Sequence, residues 1–220
     1  MSQITFFNLR FLRRVLVYLL GMFVLALGIV LAAKSNLGAT PVISVAYVLS
    51  IIYNADLGLV TALIYCVLIL VQIAILRKKF PPVYFLQIGM TAVLGGFVSL
   101  LNRALTFSPP EHYGFQLLLS LASVPIVALG LLLYLKANLI PQPVEGLILA
   151  VEKKCHWKLH NLKICADCLF VTVAAVISFA VLHRITGIRE GTLIAMLTVG
   201  NVMGFFSKKF GRHIEALLYQ

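Results

Sequence analysis

The segment GIVLAAKSNLGATPV at residues 28–42 returns 102 residues later as GLLLYLKANLIPQPV at residues 130–144. Gly, Leu, Lys, Asn, Leu, Pro and Val recur in register between the two copies. In each copy an apolar run reaches a Lys-x-Asn-Leu sequence, and Pro41 or Pro143 then opens another apolar piece. Proline suits the first turn of a helix, because its missing N–H is not needed there. The sequence therefore predicts a duplicated unit in which one helix breaks and a short helix follows.

The composition of the whole chain excludes a water-soluble protein. The chain has 220 residues, of which 61% are hydrophobic and 11% charged, and its mean hydropathy is +1.03. A soluble domain is roughly half apolar and a quarter charged. The net charge of +11 would suggest nucleic-acid binding in a soluble protein, but basic residues also flank the cytoplasmic ends of membrane spans. We expect the lipid bilayer, and not nucleic acid, to be the partner of these charges.

Six apolar runs are each about long enough to cross ~30 Å of hydrocarbon as a helix. These runs are Val15–Ala33, Leu57–Leu76, Val83–Leu101, Phe115–Leu135, Ile164–Leu182 and Gly191–Phe206. The first run has basic residues before it and small ones at its end, as a secretory signal peptide does, but it is longer than a typical signal core.

Two shorter apolar pieces remain, Pro41–Tyr53 and Pro143–Val151, in predicted short helices at residues 41–53 and 143–155. Each could be a full span, a re-entrant half-helix or an interfacial helix. The positive-inside rule distinguishes these topologies. If both pieces leave on the side that they entered, with the N-terminus inside, 14 basic residues are cytoplasmic and 4 are external. If both pieces span, the split weakens to 11 and 7. The rule favours six spans with both termini cytoplasmic, in the inner membrane.

The predicted fold is an all-α, polytopic helical bundle in which residues 1–107 and 108–220 form two halves of three spans each. An odd number of spans gives the halves opposite orientations, which is the inverted-repeat plan of many transporters, with a site near the midplane where the breaks meet. A helix that begins at membrane depth presents free N–H groups and a partial positive end, which attract an anion or a carbonyl. The predicted solute-binding residues are Asn36, Thr40, Pro41, Asn138, Gln142, Pro143 and Glu145.

An alternative leaves both short helices at the membrane interface, with no site between them. The second helix fits this alternative well, because its later part is amphipathic. Its charged residues are Glu145, Glu152, Lys153, Lys154 and Lys158.

Ionisable residues inside or beside the apolar runs are the other candidates for function. Asp167 lies four residues after Lys163, so the two side chains can pair on one helix face. We expect this pair either to couple ion movement or simply to seat the helix at the interface. Glu145 could couple a proton or a cation, or cap its helix. Arg189 and Glu190 open the last span, where they form either an external gate or a loop capped by its own residues.

Polar and small residues within the runs indicate where helices pack against each other. Interhelical hydrogen bonds are expected from Gln87, Asn102 and Asn201, and close packing from Gly89, Gly95, Gly96, Gly200 and Gly204. Tyr53 and Trp157 are expected to anchor the interface.

The sequence contains no recognisable catalytic, nucleotide-binding or metal-binding motif. Cys165 and Cys168 form a C-x-x-C without a second copy, and His156 and His160 have metal-ligand spacing without a complete ligand set. We therefore expect no enzyme activity, no catalytic residue, no cofactor and no metal.

The chain resembles the YczE/YyaS/YitT group of bacterial integral membrane proteins over roughly residues 15–209. The resemblance is carried by Asn36-Leu37-Gly38 with Pro41, by Tyr47-Val48-Leu49-Ser50, by Gln72 and Gln87 in their spans, by Lys163 with Asp167, and by Arg189-Glu190-Gly191-Thr192. It implies a multi-span membrane protein, and some members of the group are described as transporters. Many relatives carry an acid shortly after the first proline, where this chain has Val42 and Ile43. The longer YitT-like members carry a soluble C-terminal domain, whereas this chain ends at Gln220.

These observations predict a bacterial transporter that moves a small polar or anionic solute through a site between inverted halves. The alternative is a membrane scaffold that does not transport and instead stabilises a partner complex. Such a scaffold would present a broad glycine-rich or apolar helix face. A homo-oligomer is compatible with either function.

Overall fold

The computed structural model describes residues 2–157 and 159–219, and the side chains of residues 9–157 and 161–218. Lys158 and the side chains of Leu159 and His160 therefore lie outside the described residues. The described chain is all-α, as predicted, apart from one isolated β-bridge between Gly38 and Ile188. Its helices are α1 (Ser2–Lys34), α2 (Ser44–Tyr53), α3 (Leu57–Leu76), α4 (Leu86–Ala104), α5 (Tyr113–Ala137), α6 (Pro143–Cys155), α7 (Leu159–Leu182) and α8 (Glu190–Tyr219). Single 3₁₀ turns at Pro41–Ile43, Arg77–Lys79 and Pro82–Phe85 connect some of them.

Five of the described helical segments are long and apolar enough to cross a membrane. They are Leu9–Lys34, Leu57–Lys79, Pro82–Ala104, Tyr113–Ala137 and Asn161–Leu182. The chain is therefore a multi-pass membrane protein. The sixth predicted run lies in α8, a helix of 30 residues that is not among these five. Its asparagine and its glycines dilute its apolar character, so the count of six spans stays a prediction.

Each predicted break is a helix end made by an asparagine. Asn36 and Asn138 adopt the left-handed conformation, with φ of 58° and 48°. Asparagine tolerates this region better than most residues and is a common helix terminator. After each break the chain runs extended through Thr40 or Gln142, and proline then occupies the start of the next helix, as predicted.

The first helices of the two halves, α1 and α5, pack against each other antiparallel. A Cβ added at Gly28 would lie 2.8 Å from Val127 N, and one added at Gly130 would lie 2.7 Å from Leu25 Cα. At the offset of 102 residues, Val127 is the counterpart of Leu25, and Gly130 is the counterpart of Gly28. The helix pair therefore makes the same close contact twice, once from each side.

Each short helix packs against a long helix of the other half. Helix α2 and the 3₁₀ turn before it pack against α7, and α6 packs against α3. Each short helix thus lies against the second long helix of the other half, as well as against the second long helix of its own half. This arrangement brings residues that are far apart in sequence to the start of each short helix.

Glycine packing differs from the sequence prediction. Gly95 does meet another helix, since a Cβ there would lie 2.7 Å from Gly58 O. The prediction was wrong for Gly89, Gly96, Gly200 and Gly204, where an added Cβ would meet no heavy atom within 4 Å. Asn201 also differs, because its amide donates to Leu197 O of its own helix. Periodicity in the sequence does not reveal which face of a helix has a neighbour.

Asp56 connects the start of α3 to the last part of α4. It is the N-cap of α3 and accepts hydrogen bonds from Leu59 N at 3.0 Å and from the Ser99 hydroxyl, with Arg103 Nε 3.9 Å from its second oxygen. Burial by itself would raise the pKa of Asp56, but the hydrogen bonds and the nearby guanidinium outweigh burial, so the pKa lies below its ordinary value.

The lowered pKa of Asp56 predicts a pH dependence of stability. A carboxyl whose pKa is lower in the folded state stabilises the fold above its unfolded-state pKa of about 4, and this stabilisation is lost as the pH falls through the folded-state pKa. We expect the Asp56→Asn variant to unfold more readily than the wild type at pH 7 and to match it near pH 3, as measured by thermal unfolding in detergent. A difference that is the same at both pH values would contradict the assignment.

Candidate functional site

The start of α6 is held by side chains from two long helices of the first half. Tyr18 in α1 donates its hydroxyl to Ile140 O at 3.0 Å, and Gln72 in α3 donates Nε2 to Pro143 O at 2.9 Å. The same Gln72 Nε2 lies 3.1 Å from Gln87 Oε1 in α4. Both glutamine side chains are fully buried. The break before α6 is therefore tied to α1 and α3, and through Gln72 to α4.

Gly146 allows these two amides to lie directly against the α6 backbone. A Cβ at this position would be 2.5 Å from Gln72 Oε1 and 2.7 Å from Gln87 Nε2. Neither of these two atoms has a hydrogen-bond partner, although both are enclosed. A buried polar atom without a partner is costly and calls for an explanation such as a ligand or a water molecule. The amide pair thus leaves one acceptor and one donor unused beside α6.

Glu145 is the acidic residue of the first turn of α6. Its side chain is partly accessible, but its Oε2 is enclosed and has no hydrogen-bond partner. The Tyr134 hydroxyl lies close to this carboxylate and interacts with it. The hydroxyl has no hydrogen bond of normal geometry. Tyr18 and Tyr65, both buried, lie within electrostatic range of the same carboxylate. Three tyrosines, from α1, α3 and α5, are therefore within electrostatic range of Glu145.

Lys163 and Asp167 form the predicted ion pair on α7, with Nζ 3.0 Å from Oδ1. Both residues are within electrostatic range of Glu145. Lys163, a basic group within electrostatic range of Glu145, is thus already paired with another carboxylate. We define the α6 polar cluster as Tyr18, Tyr65, Gln72, Gln87, Tyr134, Gln142 and Glu145, with the Lys163–Asp167 pair at its edge.

The depth of the α6 polar cluster follows from positions along α3. Gln72 lies four residues before the end of α3, about 6 Å along the axis, and Tyr65 lies close to the middle of that 20-residue helix. Gln87 is in the first turn of α4. The cluster therefore extends from one end of the bundle toward its centre.

The residues of the first break lie elsewhere. Arg189 Nη1 donates to Asn36 O at 3.1 Å, Gly191 N donates to Leu37 O at 2.9 Å, and Ala39 N lies 3.3 Å from Gly187 O. The loop that precedes α8 therefore closes the first break. Because the hydrogen bonds of the two breaks run to different elements, the seven residues predicted for one site are distributed over two places.

Asn36 and Asn138 contact other elements through their backbone. Their side chains are exposed, and their backbone carbonyls are the groups that make contacts. Arg14 donates Nε to Ala137 O at 3.0 Å and Nη2 to Asn138 O at 2.6 Å, which mirrors the bond from Arg189 to Asn36 O. A cation at a helix C-terminus is favoured by the helix dipole. Each broken helix is thus capped by an arginine from the other half, and Arg189 also pairs with Glu190 at 3.3 Å.

Sequence reasoning missed Arg14, Tyr18, Tyr65, Gln72 and Tyr134 as parts of a site. Arg14 had been interpreted only as a charge that flanks a span, and the tyrosines are unremarkable in an apolar run. Gln72 offered a signal, since an amide within a span needs a partner. Gln87 was expected to form an interhelical hydrogen bond, and it does.

Comparison with known proteins places the chain in a family. Residues 12–208 match the sequence profile of a family of unknown function, DUF6198. The chain belongs to that family. No curated protein and no solved structure shows significant similarity to it. The DUF6198 match includes both breaks, both capping arginines and the whole α6 polar cluster. In this DUF6198 protein the site therefore falls within the part of the chain that characterises the family.

Proposed function

We propose that this DUF6198 protein is an inner-membrane transporter that moves a small polar or anionic solute through the α6 polar cluster. The single observation that carries the proposal is the set of enclosed polar atoms without partners at the start of α6. They are Gln72 Oε1, Gln87 Nε2, Tyr134 OH, Gln142 Nε2 and Glu145 Oε2. Ionisable and polar groups at membrane depth are expensive and commonly mark a solute or ion pathway. A bound solute would supply the missing hydrogen bonds.

The proposed topology has α8 as a sixth span, both termini in the cytoplasm and two inverted halves. The antiparallel contact of Gly28 with Val127 and of Gly130 with Leu25 supports inversion, because equivalent helices that are inverted must cross in opposite directions. The exchanged packing of α2 on α7 and of α6 on α3 supports it as well. In this topology α2 enters from outside and α6 from the cytoplasm, as re-entrant helices.

The arginine caps fit gates on opposite sides of the membrane. Arg189 closes the external break by binding Asn36 O, and Arg14 closes the cytoplasmic break by binding Asn138 O. Alternating access requires one side to open while the other stays closed. We propose that the two caps release in turn. A closer kinship with the YczE/YyaS/YitT group is part of the same proposal, and it is supported by the motifs around Asn36 and Arg189.

Flux into proteoliposomes tests the proposal. We expect the purified protein to accelerate uptake of at least one of glycine, ethanolamine, acetate and phosphate. The Glu145→Gln and Asp167→Asn variants should lower that uptake at least tenfold, because each removes a charge from the cluster or its edge. Glu152→Gln, in the last turn of the same helix, is the matched control and should transport like the wild type. Equal uptake by the wild type and both cluster variants would remove the assigned roles.

A non-transporting scaffold is the second candidate. It is favoured by the open glycines of α4 and α8, where Gly89, Gly96, Gly200 and Gly204 face no neighbouring atom within 4 Å. Small residues on a lipid-facing surface allow another helix to approach closely. A partner membrane protein or a second copy of the chain would pack there. Co-purification of one stoichiometric partner, together with no flux of any of the four solutes, would favour this function.

A further inference from the structure

We propose that a groove at the connection between α6 and α7 binds the headgroup of an anionic phospholipid. The groove has a volume of about 650 Å³ and is lined by His156, Trp157, Asn161, Ile164 and Cys165. All five residues are exposed. This inference goes beyond the proposed function, because a transporter and a scaffold would both present the same groove to the membrane.

The groove lies where a membrane span begins. Asn161 is the first residue of the apolar segment Asn161–Leu182, and His156 and Trp157 come just before it in the chain. The Trp157 residue is 58% exposed, and exposed tryptophan in membrane proteins is enriched at the level of the lipid headgroups. The groove is therefore placed to meet lipid phosphates.

Two lysines in the last turn of α6 supply positive charge beside the groove. Lys153 and Lys154 are exposed and precede His156 by three and two residues, so their Cα atoms lie within about 11 Å of its Cα. A lysine carries its charge on a flexible four-carbon stem, which can bend toward the groove. One carboxylate, Glu152, lies next to them in sequence, and no lining side chain is acidic. Basic residues close to the end of a span attract anionic lipid headgroups.

The polar side chains of the lining can donate hydrogen bonds to a phosphate. The Trp157 indole is a donor only, and the Asn161 amide and the His156 imidazole can each donate as well. Phosphate oxygens accept such hydrogen bonds and pair with the ammonium of lysine. The groove thus combines donors with a neighbouring positive charge, which is the chemistry that an anionic headgroup needs.

An apolar strip continues from the groove along α7. Its exposed side chains are Ile164, Leu169, Val173, Val176 and Phe179, which recur every three to five residues and so share one side of the helix. Ile164 belongs to both the groove and the strip. A lipid with its headgroup in the groove can therefore lay its acyl chains along α7. Inorganic phosphate would use the groove alone, so the strip favours a lipid as the source of the anion.

Quenching of Trp157 fluorescence tests the inference, because Trp157 is the only tryptophan in the chain and lines the groove. The full chain is reconstituted in vesicles of phosphatidylcholine brominated near the top of its acyl chains, which quenches the tryptophan. Unbrominated phosphatidylglycerol or phosphatidylcholine is then mixed in, and the recovery of emission gives the relative affinity of the two lipids. We expect the wild type to prefer phosphatidylglycerol by about tenfold, the scale set by two basic residues at an anionic surface.

The preference should fall to near unity in the double variant Lys153→Gln/Lys154→Gln. The matched control is Lys78→Gln/Lys79→Gln, which removes the same charge from two exposed lysines between α3 and α4 and should keep the preference. Asn161→Asp is a second variant in case the first folds poorly. It places a carboxylate in the groove, in the first turn of α7 where the helix dipole favours an acid, and it should lower the preference by repulsion.

The inference is overturned if the wild type shows no preference, or if the preference survives in both Lys153→Gln/Lys154→Gln and Asn161→Asp. An equal loss in the Lys78→Gln/Lys79→Gln control would also overturn it, because the lipid would then respond to the charge of the whole surface and not to the groove. If excess inorganic phosphate abolishes the preference and sodium chloride of the same ionic strength does not, the groove binds a free anion and the lipid assignment is wrong.

Discussion

Replacement of Gly130 by valine is expected to destabilise the protein more than any other single change at the α1–α5 crossing. The new Cβ would collide with Leu25 N and lie 2.7 Å from Leu25 Cα. Both are backbone atoms, so no side chain can rotate away and the two helices must separate. Overpacking of a close contact costs about 1–3 kcal/mol and sometimes more. We expect a loss of about 3 kcal/mol, at the upper end of that range.

Unfolding in increasing concentrations of SDS, followed by circular dichroism, measures this loss. Gly96→Val in α4 is the matched control, since it places the same side chain in a helix where an added Cβ meets nothing within 4 Å. The control should lose far less stability than Gly130→Val. Similar losses in the two variants would mean that α1 and α5 do not cross at Gly130.

The second large effect is expected from Gly38→Ala in the first break. Gly38 has a φ of 97°, which an L side chain rarely adopts, and an added Cβ would collide with the Thr192 hydroxyl and lie 2.8 Å from Arg189 N. Backbone strain of this kind costs about 1–3 kcal/mol. We expect the break to separate from the loop at residues 187–191, because the collision involves the backbone of that loop.

Hydrogen exchange measured by mass spectrometry reports on this separation. The amides of Ala39 and Gly191 donate across the contact, to Gly187 O and Leu37 O. A cost of about 2 kcal/mol would speed their exchange by roughly 30-fold, given tenfold per 1.4 kcal/mol. Gly114→Ala, at a position with open space, should leave exchange unchanged. Unaltered exchange in Gly38→Ala would show that the loop does not close the break.

The two arginine caps connect the two halves of the fold. Both caps bind the carbonyl end of a broken helix, and in both cases the arginine comes from the other half. A helix end inside a membrane protein needs partners for its free carbonyls, because lipid offers none. The breaks at Asn36 and Asn138 therefore depend on contacts between the halves. This dependence couples the conformation of one half to that of the other.

Local patterns were sufficient for much of the architecture. The apolar runs predicted the long helices, with α3 matched at both ends at Leu57 and Leu76. The repeated Lys-x-Asn-Leu with its proline predicted both breaks and both short helices. The spacing of Lys163 and Asp167 predicted their ion pair. Each of these features depends on residues that are close in sequence, where periodicity, backbone preference and i,i+4 spacing act directly.

Tertiary packing, and not local sequence, decided which residues form the site. Gln72 meets Pro143 across 71 residues, and Arg14 meets Asn138 across 124. Tyr134 and Glu145 are brought together by the turn between α5 and α6, and the loop before α8 hydrogen-bonds to the first break. No local pattern encodes these partners. They arise because helices with apolar surfaces on every side can pack in several ways, and only the full set of close contacts, such as Gly130 on Leu25, selects one of them.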